Sequence, residues 1–168
     1  MSAAQGIRPA IVVMGVSGSG KTTIGRALAL AHGLDFVDGD DLHPAANVAK
    51  MHAGTPLDDI DRAPWLDAVG ATLADRVAHP AGIVVACSAL KRTYRDRLRV
   101  ASGGCRFLYL ALPRETAVLR VGHRPGHFMP ASLVANQFAT LEVPGPDEQD
   151  VTTADAGLPL AAIISSFT

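Results

Sequence analysis

Apolar residues in this chain come in short continuous runs separated by stretches with helical spacing. Ala10-Ile-Val-Val-Met14 is an apolar run that stops at Gly15, and Ile24, Ala27, Leu28 and Ala31 then recur from Thr22 onward. This predicts strand, turn and helix in succession. Phe36-Val37 leads into the polar Asp38-Gly39-Asp40-Asp41, and Ile83–Cys87 and Phe107–Leu110 are further short runs of the kind that fill a sheet core. Between them Trp65, Leu66, Val69, Leu73 and Val77 follow a helical period, with Asp61 placed to cap that helix and Pro64 in its first turn. From Ser88 to Val100 the residues Leu90, Tyr94 and Leu98 share one face. Another helix starts at Pro113 or Arg114 and runs towards Arg120; Gly122–His127 interrupts it before Pro130 opens a helix reaching about Leu141. An edge strand at about 150–154 and a terminal helix with Leu160, Ile163, Ile164 and Phe167 on one stripe follow.

Strands alternating with helices predict an α/β fold: a five-stranded parallel sheet with helices on both faces, because each right-handed crossover lays its helix on an apolar sheet surface. The 168 residues suit one domain, 1–168, with no linker long enough to divide it. The segments at about 43–65 and about 120–137 read as an acceptor-side insertion and a small lid. Hydrophobic residues make up 48% of the chain, which is core material, and the 16 Gly and 11 Pro cluster in motifs rather than in a disordered tail. A formal charge of -1 gives no overall positive field for nucleic acid or an acidic membrane. Cys87 and Cys105 could form at most one bridge, and there is no secretory leader or run of eighteen apolar residues. Together these suggest a soluble protein of a reducing compartment.

The most specific chemical signal is Gly15, Val16, Ser17, Gly18, Ser19, Gly20, Lys21 and Thr22, a complete G-x-x-x-x-G-K-T sequence between predicted strand and helix. Its glycines let the backbone curl round a β-phosphate, and the helix terminus behind it adds positive potential. Lys21 can reach the β- and γ-phosphates, and the Thr22 hydroxyl suits magnesium. ATP or GTP binding follows.

Other candidates keep two readings. Asp38 and Asp40, just past the second strand, could serve metal and an acceptor hydroxyl or simply make an Asp-rich turn. His43 could contact an acceptor or cap a turn. Ser88 could orient a hydroxylated acceptor, and Lys91, Arg92 and Arg95 carry the charge an anion needs, although a solvated helix face explains that run too. Arg120 and Arg124, four apart beside Gly122 and Gly126, suit a closing lid or scattered surface arginines. His127 could contact the acceptor, pack the lid or stand exposed. Cys87, preceded by apolar residues, belongs to the core rather than to nucleophilic chemistry, the histidines form no zinc-ligand pattern, and Trp65 reads as helix packing.

From Val13 to about Pro159 the sequence resembles the small gluconate kinases of the P-loop kinase superfamily. The resemblance rests on Met14–Thr22, Asp38–Pro44, Asn47–Met51, Gly54–Asp59, Asp61–Leu66, Cys87–Leu98, Gly126–Met129 and Gln137–Glu142. It implies a three-layer P-loop kinase fold and transfer of the ATP γ-phosphate, with Mg2+, to the 6-hydroxyl of D-gluconate. By that pattern Lys21 and Thr22 hold phosphate and magnesium, Asp38 organises the metal, and Asp40 orients or activates the acceptor. His43, Arg62, Ser88, Lys91, Arg95 and His127 are its acceptor-site candidates. Arg120 packs against adenine and Arg124 meets the transferring phosphate. Similar enzymes are cytoplasmic homodimers. A related shikimate or nucleotide kinase, and an ATP-binding regulatory module, are the alternatives.

Overall fold

The computed structural model describes residues 8–122 and 131–167. The chain begins with strand β1 (Ala10–Met14), then helix α1 (Lys21–His32) and strand β2 (Asp35–Asp38). A single 3-10 turn (Gly39–Leu42), α2 (Ala45–His52) and α3 (Asp59–Ala74) intervene before β3 (Ile83–Ala86). There follow α4 (Arg92–Ser102), β4 (Arg106–Ala111), α5 (Arg114–Gly122), α6 (Ala131–Thr140), β5 (Val151–Asp155) and α7 (Leu160–Phe167). Among the described residues the five strands form one sheet in the order β2-β3-β1-β4-β5, with every neighbouring pair parallel.

The pleat of β1 explains the layers. Ile11 and Val13 face a core shared with Leu28 of α1, Ala117 of α5, Val134 of α6 and Ile163 and Phe167 of α7. Val12 and Met14 face the opposite core, with Trp65, Val69 and Leu73 of α3 and Leu98 of α4. A strand buried on both faces needs a continuous apolar run, which is what Ala10–Met14 and Ile83–Ala86 supply. Because β1 lies between β3 and β4, the loops leaving the carboxyl ends of β1, β2 and β3 gather on one edge, where α/β sheets place their ligands.

Several local expectations are corrected. Helix α3 is capped by Asp58, whose Oδ1 accepts from the Asp61 N–H at 2.7 Å, while the Asp58 N–H donates to Asp61 Oδ2 at 3.1 Å. Asp61 is therefore the far half of a capping box, and Pro64 lies past the first turn, inside the helix. Val77 is 93% exposed: the helix has ended, and Asp75 Oδ1 accepts from the Val77 and Ala78 N–H groups to make a turn. Ser88–Lys91 form the turn expected after β3, with Ala89 at a φ of 45°, and α4 starts at Arg92. The segment at about 43–65 holds α2 and the first turns of α3; neither α2 nor the 3-10 turn before it was predicted by the periodicity. On α7, Ile163 and Phe167 are buried and Ile164 packs beside them, but Leu160 is largely outside the stripe.

Candidate active site

The loop after β1 turns tightly. Gly15 has a φ of 147° and Gly18 a φ of 84°, and a Cβ at either would approach a backbone carbonyl, Leu110 or Ala117, to 3.0 Å. Gly20 caps α1 in the left-handed conformation without a side-chain acceptor, and the first turn holds no acidic residue. The helix amides are thus left to an external anion. Lys21 Nζ folds back to donate to the Val16 carbonyl at 3.0 Å, and the hydroxyl of Ser19, a residue 2% exposed, is buried with no hydrogen-bond partner among the described residues.

Asp38, at the tip of β2, joins this loop to the next. The Thr22 hydroxyl donates to Asp38 Oδ2 at 3.0 Å, and Asp38 Oδ1 accepts from the Asp40 N–H at 3.0 Å. Arg120 of α5 donates to the Gly18 carbonyl at 3.1 Å and to the Ala156 carbonyl beyond β5 at 3.2 Å. These residues line a cavity of about 410 Å3 together with Ser17, Gly20, Lys21, Thr23 and Asp40. Its backbone cradle and lysine fit a nucleotide phosphate chain. Thr22 and Asp38 add hard oxygen donors, suited to a magnesium held chiefly by phosphate and water. Among the described residues no cluster of three or more His, Cys, Asp and Glu side chains forms a metal cage.

A second cavity, about 480 Å3, adjoins the first and shares Ser17, Lys21 and Asp40 with it. His43, Arg62 and Ser88 line it, as the sequence suggested, with Met51, Leu57 and Trp65 supplying apolar wall. Arg62 Nη1 donates to the Tyr94 hydroxyl at 2.9 Å, and that hydroxyl donates to Asp59. The His43 ring stacks on Trp65, centroids 4.2 Å apart and planes 14° from parallel. Burial above all holds the His43 pKa below its ordinary value; Arg62 acts in the same direction and Asp40 against it.

Two sequence candidates fall outside this gathering. Lys91 lines neither cavity and donates to Asp59 Oδ1 at 3.0 Å. Arg95 is wholly buried, and its guanidinium is fully engaged. It bonds Glu148 through Nε at 2.7 Å and Nη2 at 2.9 Å, and the Ala89, Leu90 and Glu142 carbonyls at 3.0–3.1 Å. With all five N–H donors committed, Arg95 organises the loop after β3 and has nothing left for an acceptor. Arg124 and His127 lie outside the described residues. Cys87 is buried, with its thiol pushed up to about 12 by desolvation, in keeping with a core role.

Sequence reasoning missed Gln137 and Asn136 of α6, which line the second cavity. Gln137 Oε1 accepts from the Ser17 N–H at 2.6 Å, across 120 positions of chain. The neighbouring amide pair on a helix whose other residues are apolar or hydroxylic was the available signal. Trp65, read as packing alone, also carries His43 and donates from Nε1 to the Gly39 carbonyl at 2.8 Å.

A family profile described as an AAA domain matches residues 11–144. Gluconokinase from Gluconobacter oxydans is 50% identical over 144 residues, covering 85% of this chain and 81% of that protein. The chain belongs to the gluconokinase family. The thermosensitive gluconokinase of Escherichia coli is 46% identical over 90% of the chain and 81% of its own length. The crystal structure of a gluconokinase from Sinorhizobium meliloti superposes with a TM-score of 0.84 at 48% identity, over 95% of this chain and 89% of that one. A shikimate kinase from Aquifex aeolicus, at 12% identity and a TM-score of 0.54, shares the fold alone. Membership of the gluconokinase family makes the chain a P-loop kinase that uses ATP. Among the described residues no helix is long and apolar enough to cross a membrane.

Proposed function

We propose that this gluconokinase-family enzyme transfers the γ-phosphoryl group of ATP to the 6-hydroxyl of D-gluconate, releasing ADP and 6-phospho-D-gluconate. The observation that carries the reading is the meeting of two cavities at Lys21 and Asp40: a phosphate cradle on one side, a polar cleft bordered by Arg62 on the other. A phosphoryl group held by the loop and a hydroxyl held in the cleft would face each other across that junction.

Asp40 accepts a hydrogen bond from the acceptor hydroxyl, orients its oxygen towards phosphorus and takes its proton as the new P–O bond forms and the bond to ADP breaks. Lys21 stabilises charge on the transferring group, and Thr22 and Asp38 would hold Mg2+. When bound, the metal neutralises charge spread over the β- and γ-phosphate oxygens. Arg62 supplies a fixed positive charge for the sugar-acid carboxylate, while His43 and Ser88 meet hydroxyl groups. Arg120, held by the Gly18 and Ala156 carbonyls, would pack on the base at the nucleotide side.

The test is a panel of acceptors with ATP and magnesium, read by product mass. Gluconate gaining one phosphate, with shikimate and nucleoside monophosphates unchanged, is the expected result. Phosphorylation of shikimate or a nucleotide without any gluconate product would replace the reading, and ATP turnover independent of acceptor would make the protein an ATPase.

A further inference from the structure

His43 has one ring nitrogen held by the protein and the other left for the cleft. Asn47 of α2 is 3% exposed, and its Nδ2 donates to the backbone carbonyl of Asp61 at 2.8 Å. A carbonyl only accepts, so this bond fixes which end of the Asn47 amide carries the hydrogens. The same Nδ2 lies 3.3 Å from His43 Nδ1. An amide nitrogen cannot accept, so Nδ1 must present its lone pair, and the single proton of the neutral ring sits on Nε2. Among the described residues no protein group bonds Nε2, and the ring borders the acceptor-side cavity. Trp65, itself fixed by the Gly39 carbonyl, fills one face of the imidazole and blocks its rotation.

We infer that Asn47 is a positioning residue that locks His43 as the Nε2–H tautomer, making it a neutral hydrogen-bond donor to a substrate oxygen in the acceptor cleft. Burial of the ring and the nearby Arg62 guanidinium both favour the uncharged form, against the opposing charge of Asp40. Arg62 then remains the cation on this part of the cleft, while His43 reads a lone pair without adding charge. The inference rests on gluconate as the acceptor for its kinetic arm only.

The experiment uses the full chain at pH 7.5, with the His43 ring nitrogens observed by 15N NMR and assigned by their loss in His43→Gln. The wild-type spectrum is expected to show a protonated Nε2 and a bare Nδ1, whether or not any acceptor turns over. Asn47→Ala is expected to mix the two tautomers and to raise the gluconate KM about tenfold, with the ATP KM within about twofold. A proton on Nδ1 in the wild type overturns the proposal, as does an Asn47→Ala protein that keeps the wild-type spectrum. If Asn47→Ala does not fold, the decision passes to two changes at the ring. His43→Gln retains an N–H near the Nε2 position and should stay within about threefold of the wild-type gluconate KM. His43→Phe keeps the stack on Trp65, loses the donor, and should raise that KM about tenfold. Equal KM values for the two variants overturn the proposal. A folded wild-type enzyme that leaves gluconate unphosphorylated refutes the acceptor assignment instead, and the NMR arm still decides the tautomer.

Discussion

Asp40 borders both cavities, and its backbone N–H is pinned by Asp38, so its carboxylate is presented by a fixed turn rather than by a mobile side-chain network. Asp40→Asn keeps the size and the backbone bond but removes the proton acceptor. Turnover should fall about 100-fold or more while ATP affinity changes by less than about threefold, as steady-state rates and nucleotide titration will show. Near-normal kcat would remove Asp40 from the proton-accepting role. The basic residues make the contrast. Arg62, Lys91 and Arg95 are equivalent as letters, yet Arg62 alone of the three lines the cleft; Lys91 is matched with Asp59 and Arg95 with Glu148. Charge in a sequence does not say whether it will meet water, substrate or a carboxylate 53 positions away.

The 3-10 turn Gly39–Leu42 carries Asp40, the proposed proton acceptor. It is clamped on two sides: the Trp65 indole donates to the Gly39 carbonyl, and a Cβ at Gly39 would lie 2.3 Å from the Ala86 carbonyl at the end of β3. Backbone cannot rotate aside as a side chain can, so Gly39→Ala must lift the turn off the sheet and carry Asp38 and Asp40 with it. A stability loss of about 2 kcal/mol in denaturant unfolding is expected, together with a fall of at least about tenfold in kcat/KM. A variant that is less stable yet fully active would show that the position of the turn is not critical to catalysis. The same element shows where periodicity stops helping. Strands and long helices announce themselves through repeated burial, whereas a one-turn 3-10 segment and the eight-residue α2 have too few repeats to stand out. Likewise, helical spacing ran on through Val77 because a side-chain pattern carries no record of where backbone hydrogen bonds are taken over by a turn.

Across the whole molecule, the buried pair of Arg95 and Glu148 ties α4 to the segment between α6 and β5, and Arg99 extends the tie to Glu148 and Asp150. The Arg95 guanidinium is the main reason the Glu148 carboxyl is held down at about 2 from 4.5, with Arg99 helping and burial opposing. A carboxylate depressed on folding stabilises fully above its unfolded value, and that contribution is lost as the pH falls from about 4.5 through about 2. Wild-type stability should therefore decline across this window. Glu148→Gln should be flatter there and, having left Arg95 buried without its carboxylate, less stable at pH 7 by about 3 kcal/mol. Parallel melting profiles for the two proteins would dismiss Glu148 as a source of acid sensitivity. The five-stranded α/β fold and the phosphate loop were legible in the chain itself because both are contiguous: apolar runs specify buried strands locally, and eight successive residues build the cradle. The acceptor side was legible only in part. Asp40, His43, Arg62 and Ser88 converge as expected, but the Gln137 contact with the loop, the commitment of Arg95 to Glu148 and the tautomer of His43 are products of tertiary structure. Each depends on which distant group supplies the matching donor or acceptor once water is excluded, and only the packed chain brings those groups within reach.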